Sequence, residues 1–93
     1  MICVLECRFI LPGCVSLKEK RSQVKPLINR LQREFRLSVS EIDLQDVHDQ
    51  AVIGCALIST NRAFMEKYMQ QVVAFIERYW KNLQLVSYKT EII

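Results

Sequence analysis

From Ile2 to Leu11 every second side chain is apolar: Cys3, Leu5, Cys7, Phe9 and Leu11, with Val4, Glu6, Arg8 and Ile10 between them. A period of two places the two sets on opposite faces of a strand, so one wholly apolar side has to meet a core. Pro12-Gly13 ends the strand. Ser16 then stands at the capping-box spacing before Glu19, and Leu17, Val24, Ile28, Leu31 and Phe35 recur at helical spacing. The pattern predicts an amphipathic helix to about Arg36, with a local kink at Pro26, which has no N–H for the carbonyl of Ser22.

A second half follows the same plan. Leu37 to Asp43 reads as a shorter strand with Leu37, Val39 and Ile42 apolar, and Leu44 to Gln50 as a polar, acidic connection. Ala51 to Ile58 is apolar almost without a break around Gly54, the composition of a strand buried on both faces. Asn61 can cap a second helix, in which Met65, Tyr68, Val72, Ile76 and Tyr79 form a stripe reaching Trp80. Leu83 to Ile93 closes the chain as a last strand.

The order is therefore β-α-β-β-α-β. Right-handed crossovers make the strands of each strand–helix–strand unit parallel, and the two most apolar strands belong in the centre. The last strand then flanks the first and the second flanks the third. The expected fold is α+β, a ferredoxin-like sandwich with two helices on one face of a four-stranded antiparallel sheet. With 93 residues the chain is expected to form one domain spanning 1–93. The other sheet face would be bare, although the first strand places Val4 and Ile10 there and the central strand adds apolar residues. Such a face predicts a cover, and a second copy related by a two-fold axis is the simplest one, which makes a homodimer the expectation.

Thirteen Lys+Arg against ten Asp+Glu leave a net charge of +3, which permits an anionic partner without demanding one. No apolar run reaches the roughly 18 residues of a membrane span, and the first residues lack an export pattern, so no membrane association is expected. Cys3 and Cys7 would lie about 13 Å apart along a strand, too far to bridge. No Cys-x-x-Cys pair occurs and His48 is the only histidine. Buried free thiols, no metal or other cofactor, and a reducing cytoplasmic setting are the expectations.

Positive charge concentrates on the first helix. From Ser16 to Arg36 the chain holds seven basic and two acidic residues. Lys18, Lys20 and Arg21 occupy its first turns, where cations oppose the helix dipole, so helix stability does not account for them. Lys18, Lys25 and Arg36 fall within about 20° on a helical wheel, with Arg21 nearby, in a stripe about 27 Å long. Gly13 also feeds the helix N-terminus, an end that favours anions. Two readings stand: a solvated basic flank, or contact with phosphates through Lys18, Lys20, Arg21, Lys25 and Arg36. The spacing is not that of a P-loop.

Glu41, Asp43, Asp46, His48 and Asp49 form an acidic group in which Glu41 and Asp43 are expected on one side of a strand. A cation site or acid–base pair is conceivable there, although strand connections are commonly acidic. In the second helix the aromatic and Met residues read as core, with Met69, Val73 and Trp80 on the flank and half exposed as a docking edge. The central strand Ala51–Ser59 has no aromatic and no basic residue, which disfavours base stacking on the sheet face.

The run Leu11-Pro12-Gly13-Cys14-Val15-Ser16-Leu17-Lys18-Glu19-Lys20-Arg21 resembles the small bacterial YlxP-like family, of which Ser-Leu-Lys-(Asp/Glu)-Lys-Arg is the most distinctive string. The resemblance continues through Ser38–Asp43, Gln45-Asp46 and Gly54 and covers essentially the whole chain. Relatives often carry an aromatic residue near His48, which this chain lacks. The family is a domain of unknown function with a ferredoxin-like fold and no established catalytic residues. Its genes often lie among translation and ribosome-maturation genes, which implies a ribosome or RNA connection by association. The leading expectation is a non-enzymatic accessory factor that contacts RNA or a ribosomal particle. An acylphosphatase-like enzyme gripping phosphate at the first loop, and a small-molecule regulatory module, are the alternatives.

Overall fold

The computed structural model describes residues 1–93. Its elements run β1 (Ile2–Ile10), α1 (Leu17–Phe35), β2 (Ser38–Asp43), β3 (Gln50–Ile58), α2 (Arg62–Tyr79) and β4 (Gln84–Ile92). The four strands form one antiparallel sheet in the order β2-β3-β1-β4, the expected ferredoxin-like α+β layout.

The local signals act as their chemistry requires. The Ser16 hydroxyl accepts from the Glu19 N–H at 3.1 Å, and the Glu19 carboxylate accepts from the Val15 N–H at 3.3 Å. Asn61 does the same for α2, accepting from the Phe64 N–H at 2.9 Å. The first helix continues unbroken through Pro26, which lies on the solvent side beside the exposed Ser22. At its end Arg36 takes the left-handed conformation, φ 51°, and its N–H donates to the Gln32 carbonyl.

The core lies between the sheet and the helices. Cys3, Leu5, Cys7, Phe9 and Leu11 are all buried, opposite Val24, Leu27 and Leu31 of α1 and Met65, Met69, Val72, Val73 and Ile76 of α2. Both helices are turned relative to the stripes expected from the sequence. In α1 the buried arc takes in Leu27 and moves away from Leu17 and Ile28. In α2 Met69 and Val73 are fully packed, not half exposed, whereas Tyr79 faces solvent and Tyr68 is only half-buried. The Tyr68 hydroxyl compensates by donating to the Phe35 carbonyl at 2.6 Å, and Phe35 stands edge-on to both Tyr68 and Phe75. These rings fill the seam between the helices. All four cysteines are free and buried.

The open face is uneven. Val52 is 1% exposed there even without a covering layer, flanked in register by Arg8 and Asp43. Ile2, Val4, Ala56 and Ile58 lie together at the opposite end, and Ile58 is 77% exposed. A bulge at Ile42 turns its side chain over Gly54, where a Cβ would stand 3.0 Å from Ile42 Cδ1. The same bulge corrects an expectation. Glu41 sits opposite Ile53 on the helix side, but Asp43 sits opposite Val52 on the open face, so the two carboxylates do not share a side.

Candidate nucleic-acid interface

The first helix presents its basic stripe opposite its buried arc. Lys18, Arg21, Lys25, Arg33 and Arg36 are all exposed, and none has a carboxylate within ion-pairing distance. Arg30 is set apart from them. Its guanidinium lies 3.9 Å from Glu34 and stacks 5.5 Å from the centre of the Phe75 ring, so it braces the helix seam.

Lys20 does not belong to this surface. It is 1% exposed, and its ammonium donates to the carbonyls of Leu44 and Val47 at 2.8 Å each while lying 2.6 Å from Glu41 Oε2. That carboxylate oxygen is buried and meets Lys20 as an ion-pair contact without hydrogen-bond alignment. Two hydrogen bonds and one ion-pair contact thus enclose the ammonium within the fold, and no room remains there for a phosphate. The sequence carried a signal for this: Lys20, Val24, Leu27 and Leu31 follow one another at intervals of four, three and four along the buried face. A lysine in that phase has to find partners inside.

The helix N-terminus is also taken. The Glu19 carboxylate folds back onto Val15, and Ser16 holds the Glu19 amide, so a negative group already sits where a phosphate was expected. Cys14 N–H closes a turn onto the Leu11 carbonyl. The loop around Gly13, φ 74°, is therefore a capped turn, and the free cations lie along the side of the helix beyond it.

The acidic stretch separates into unlike roles. Glu41 faces Lys20, Asp43 accepts from the Leu44 N–H at 2.8 Å, and Asp46, His48 and Asp49 are exposed. No group of three or more His, Cys, Asp or Glu side chains is arranged to hold a metal ion. Burial pushes the Cys7 and Cys55 thiols up to about 12, with Cys55 and Glu6 adding to the effect on Cys7. Such thiols are inert at neutral pH and serve as packing. No helix is long and apolar enough to cross a membrane.

Arg36 is the most telling member of the stripe. Helices that end in a left-handed residue usually place glycine there, because a Cβ is strained at positive φ. Here the position holds an exposed arginine.

The chain is 40% identical over 79 residues to the uncharacterized protein YlxP of Bacillus subtilis (strain 168), a match that spans 85% of this chain and 86% of that protein. Residues 2–90 match the family described as "Protein of unknown function (DUF503)". With a match over nearly its whole length, the chain belongs to the DUF503 family.

Proposed function

We propose that this protein is a non-enzymatic, cytoplasmic accessory factor of translation or ribosome biogenesis that binds RNA phosphates along the outer side of α1. The observation that carries the reading is the set of five exposed cations, Lys18, Arg21, Lys25, Arg33 and Arg36, that no carboxylate neutralises. The link to translation rests on the resemblance to the YlxP-like family. Contacts of this kind supply affinity and orientation without sequence readout. A stripe about 27 Å long can follow several consecutive phosphates.

A homodimer belongs to the same reading. Exposed apolar side chains on the open sheet, Ile2, Ile42 and Ile58 among them, support it.

The test is a titration of structured RNA over a salt series. Wild-type affinity is expected to fall steeply with salt, and Lys18→Glu plus Arg21→Glu is expected to make the log–log slope shallower by about 1.5. Binding that ignores salt, or that survives the double reversal, removes the proposal.

A further inference from the structure

The two edges of the sheet are not alike. The β2 edge is six residues long and interrupted by the bulge at Ile42, a device that discourages pairing. The β4 edge is nine residues long, holds no proline, and is exposed over most of its length. Its one irregularity falls near Val86, where the register against β1 shifts, so Ser87 to Ile92 runs as a regular strand.

Which backbone groups face outward follows from the ladder. Ile2 and Ile93 exchange both backbone hydrogen bonds, at 3.0 and 2.8 Å. In an antiparallel pair such residues alternate with ones whose N–H and C=O point away. Glu91, Lys89 and Ser87 therefore bond inward to β1, and the N–H and C=O of Ile92, Thr90 and Tyr88 face the free edge. A second β4 laid antiparallel on this edge is restricted to registers that match these outward groups.

Charge chooses among those registers. Lys89 and Glu91 both lie on the open face of the sheet, beside Glu6 and Val4. The Lys89 ammonium is 4.0 Å from Glu6 Oε2, but its side chain is 75% exposed, so it can also reach across the edge. Centring the pair on Lys89 or on Glu91 sets like charges against each other across the axis. Centring it on Thr90 sets each Lys89 against Glu91 of the partner subunit, in the non-hydrogen-bonded positions where side chains approach most closely.

We propose that two copies of this chain join edge to edge through β4, antiparallel and with Thr90 opposite Thr90 of the partner subunit, to form a continuous eight-stranded sheet. This rests on the homodimer reading above only for the presence of a second copy; the contact itself is carried by the β4 edge, and Ile2, Ile42 and Ile58 of the open face stay uncovered in it. The axis runs perpendicular to the sheet, so both helix layers, and both basic α1 stripes, lie on one side of the assembly. A dimer closed over the open faces would send them in opposite directions.

The experiment compares the wild type with six variants by sedimentation equilibrium and, for one of them, by cross-linking, with circular dichroism confirming that each is folded. Lys89→Glu and Glu91→Lys are each expected to raise the dimer dissociation constant about ten-fold, and the double swap to recover most of it. Thr90→Pro removes an outward N–H without touching the ladder to β1 and is expected to give monomer. Thr90→Cys is expected to cross-link under mild oxidation, since opposed Cα atoms in such a pair stand about 5.5 Å apart; the native cysteines are all buried and stay silent. A wild type that is monomeric at high micromolar concentration overturns the homodimer and the edge pairing together. A dimer indifferent to Thr90→Pro, uncross-linked at position 90 and dissociated by Ile58→Asp overturns the edge pairing alone and places the contact on the open face.

Discussion

Replacing Lys20 by Met removes the ammonium and keeps the buried aliphatic stem. The carbonyls of Leu44 and Val47 and one oxygen of Glu41 then lose their partner. A hydrogen bond to a charged group contributes about 1.5–3 kcal/mol, and breaking a buried pair costs about 3–5 kcal/mol because the surviving charge is stranded. The Glu41 side chain is 20% exposed, so water relieves part of that cost. The expected loss is about 3 kcal/mol, a large share of the 5–15 kcal/mol typical of a domain. With a urea m-value of about 1.5 kcal/mol/M the unfolding midpoint should fall by about 2 M. Adding Glu41→Leu should return about 1–2 kcal/mol, since the stranded charge is gone while the two carbonyls stay unpaired. RNA affinity of the folded Lys20→Met protein should match the wild type. A midpoint shift below about 0.5 M, or a loss of RNA binding equal to that of Lys18→Glu, would refute the internal role assigned to Lys20.

Four further outcomes are expected. Arg36→Gly relieves the left-handed strain at φ 51° and should raise thermal stability by about 1 kcal/mol while weakening RNA binding, a separation that calorimetry and titration can resolve. Raising the pH from about 9 toward 12 should destabilise the protein progressively: Cys7 and Cys55 keep their protons when folded, up to about 12, whereas in the unfolded chain they lose them near 9.0. Denaturation midpoints across that range test it, and Cys7→Ala with Cys55→Ala should flatten the slope. Ser16→Ala should cost about 1 kcal/mol, read by urea unfolding, because the Glu19 amide loses its acceptor. Gly54→Val should cost about 1–3 kcal/mol by driving a side chain into Ile42, and Ile42→Ala in the same chain should recover much of it.

The strand and helix order was legible because β1 alternates cleanly and both caps carry the residue types their geometry needs. Strand order followed from the apolar content of β1 and β3. The buried faces of both helices are turned from the stripes that residue type alone indicates. Tyr68 and Tyr79 count as apolar in a pattern, yet they sit at the seam and the surface, while Met69 and Val73 do the packing. In the sequence Lys20, beside Lys18 and Arg21, looks like part of a basic run, and only its phase with Val24 and Leu27 separates it. The bulge at Ile42 has no local signal, since the residue its side chain covers, Gly54, lies on a neighbouring strand.

The clamp from Lys20 onto Leu44 and Val47 also sets where the chain tolerates being lengthened. Leu44 itself is held at φ 56°, and its carbonyl serves Lys20 and the Val47 amide together. Extra residues spliced between Gln45 and Asp46 would pull those carbonyls off the ammonium and cut the tie between the first helix and the central hairpin. The exposed Lys81-Asn82 step carries no such tie, so a tag or reporter grafted there leaves the architecture whole.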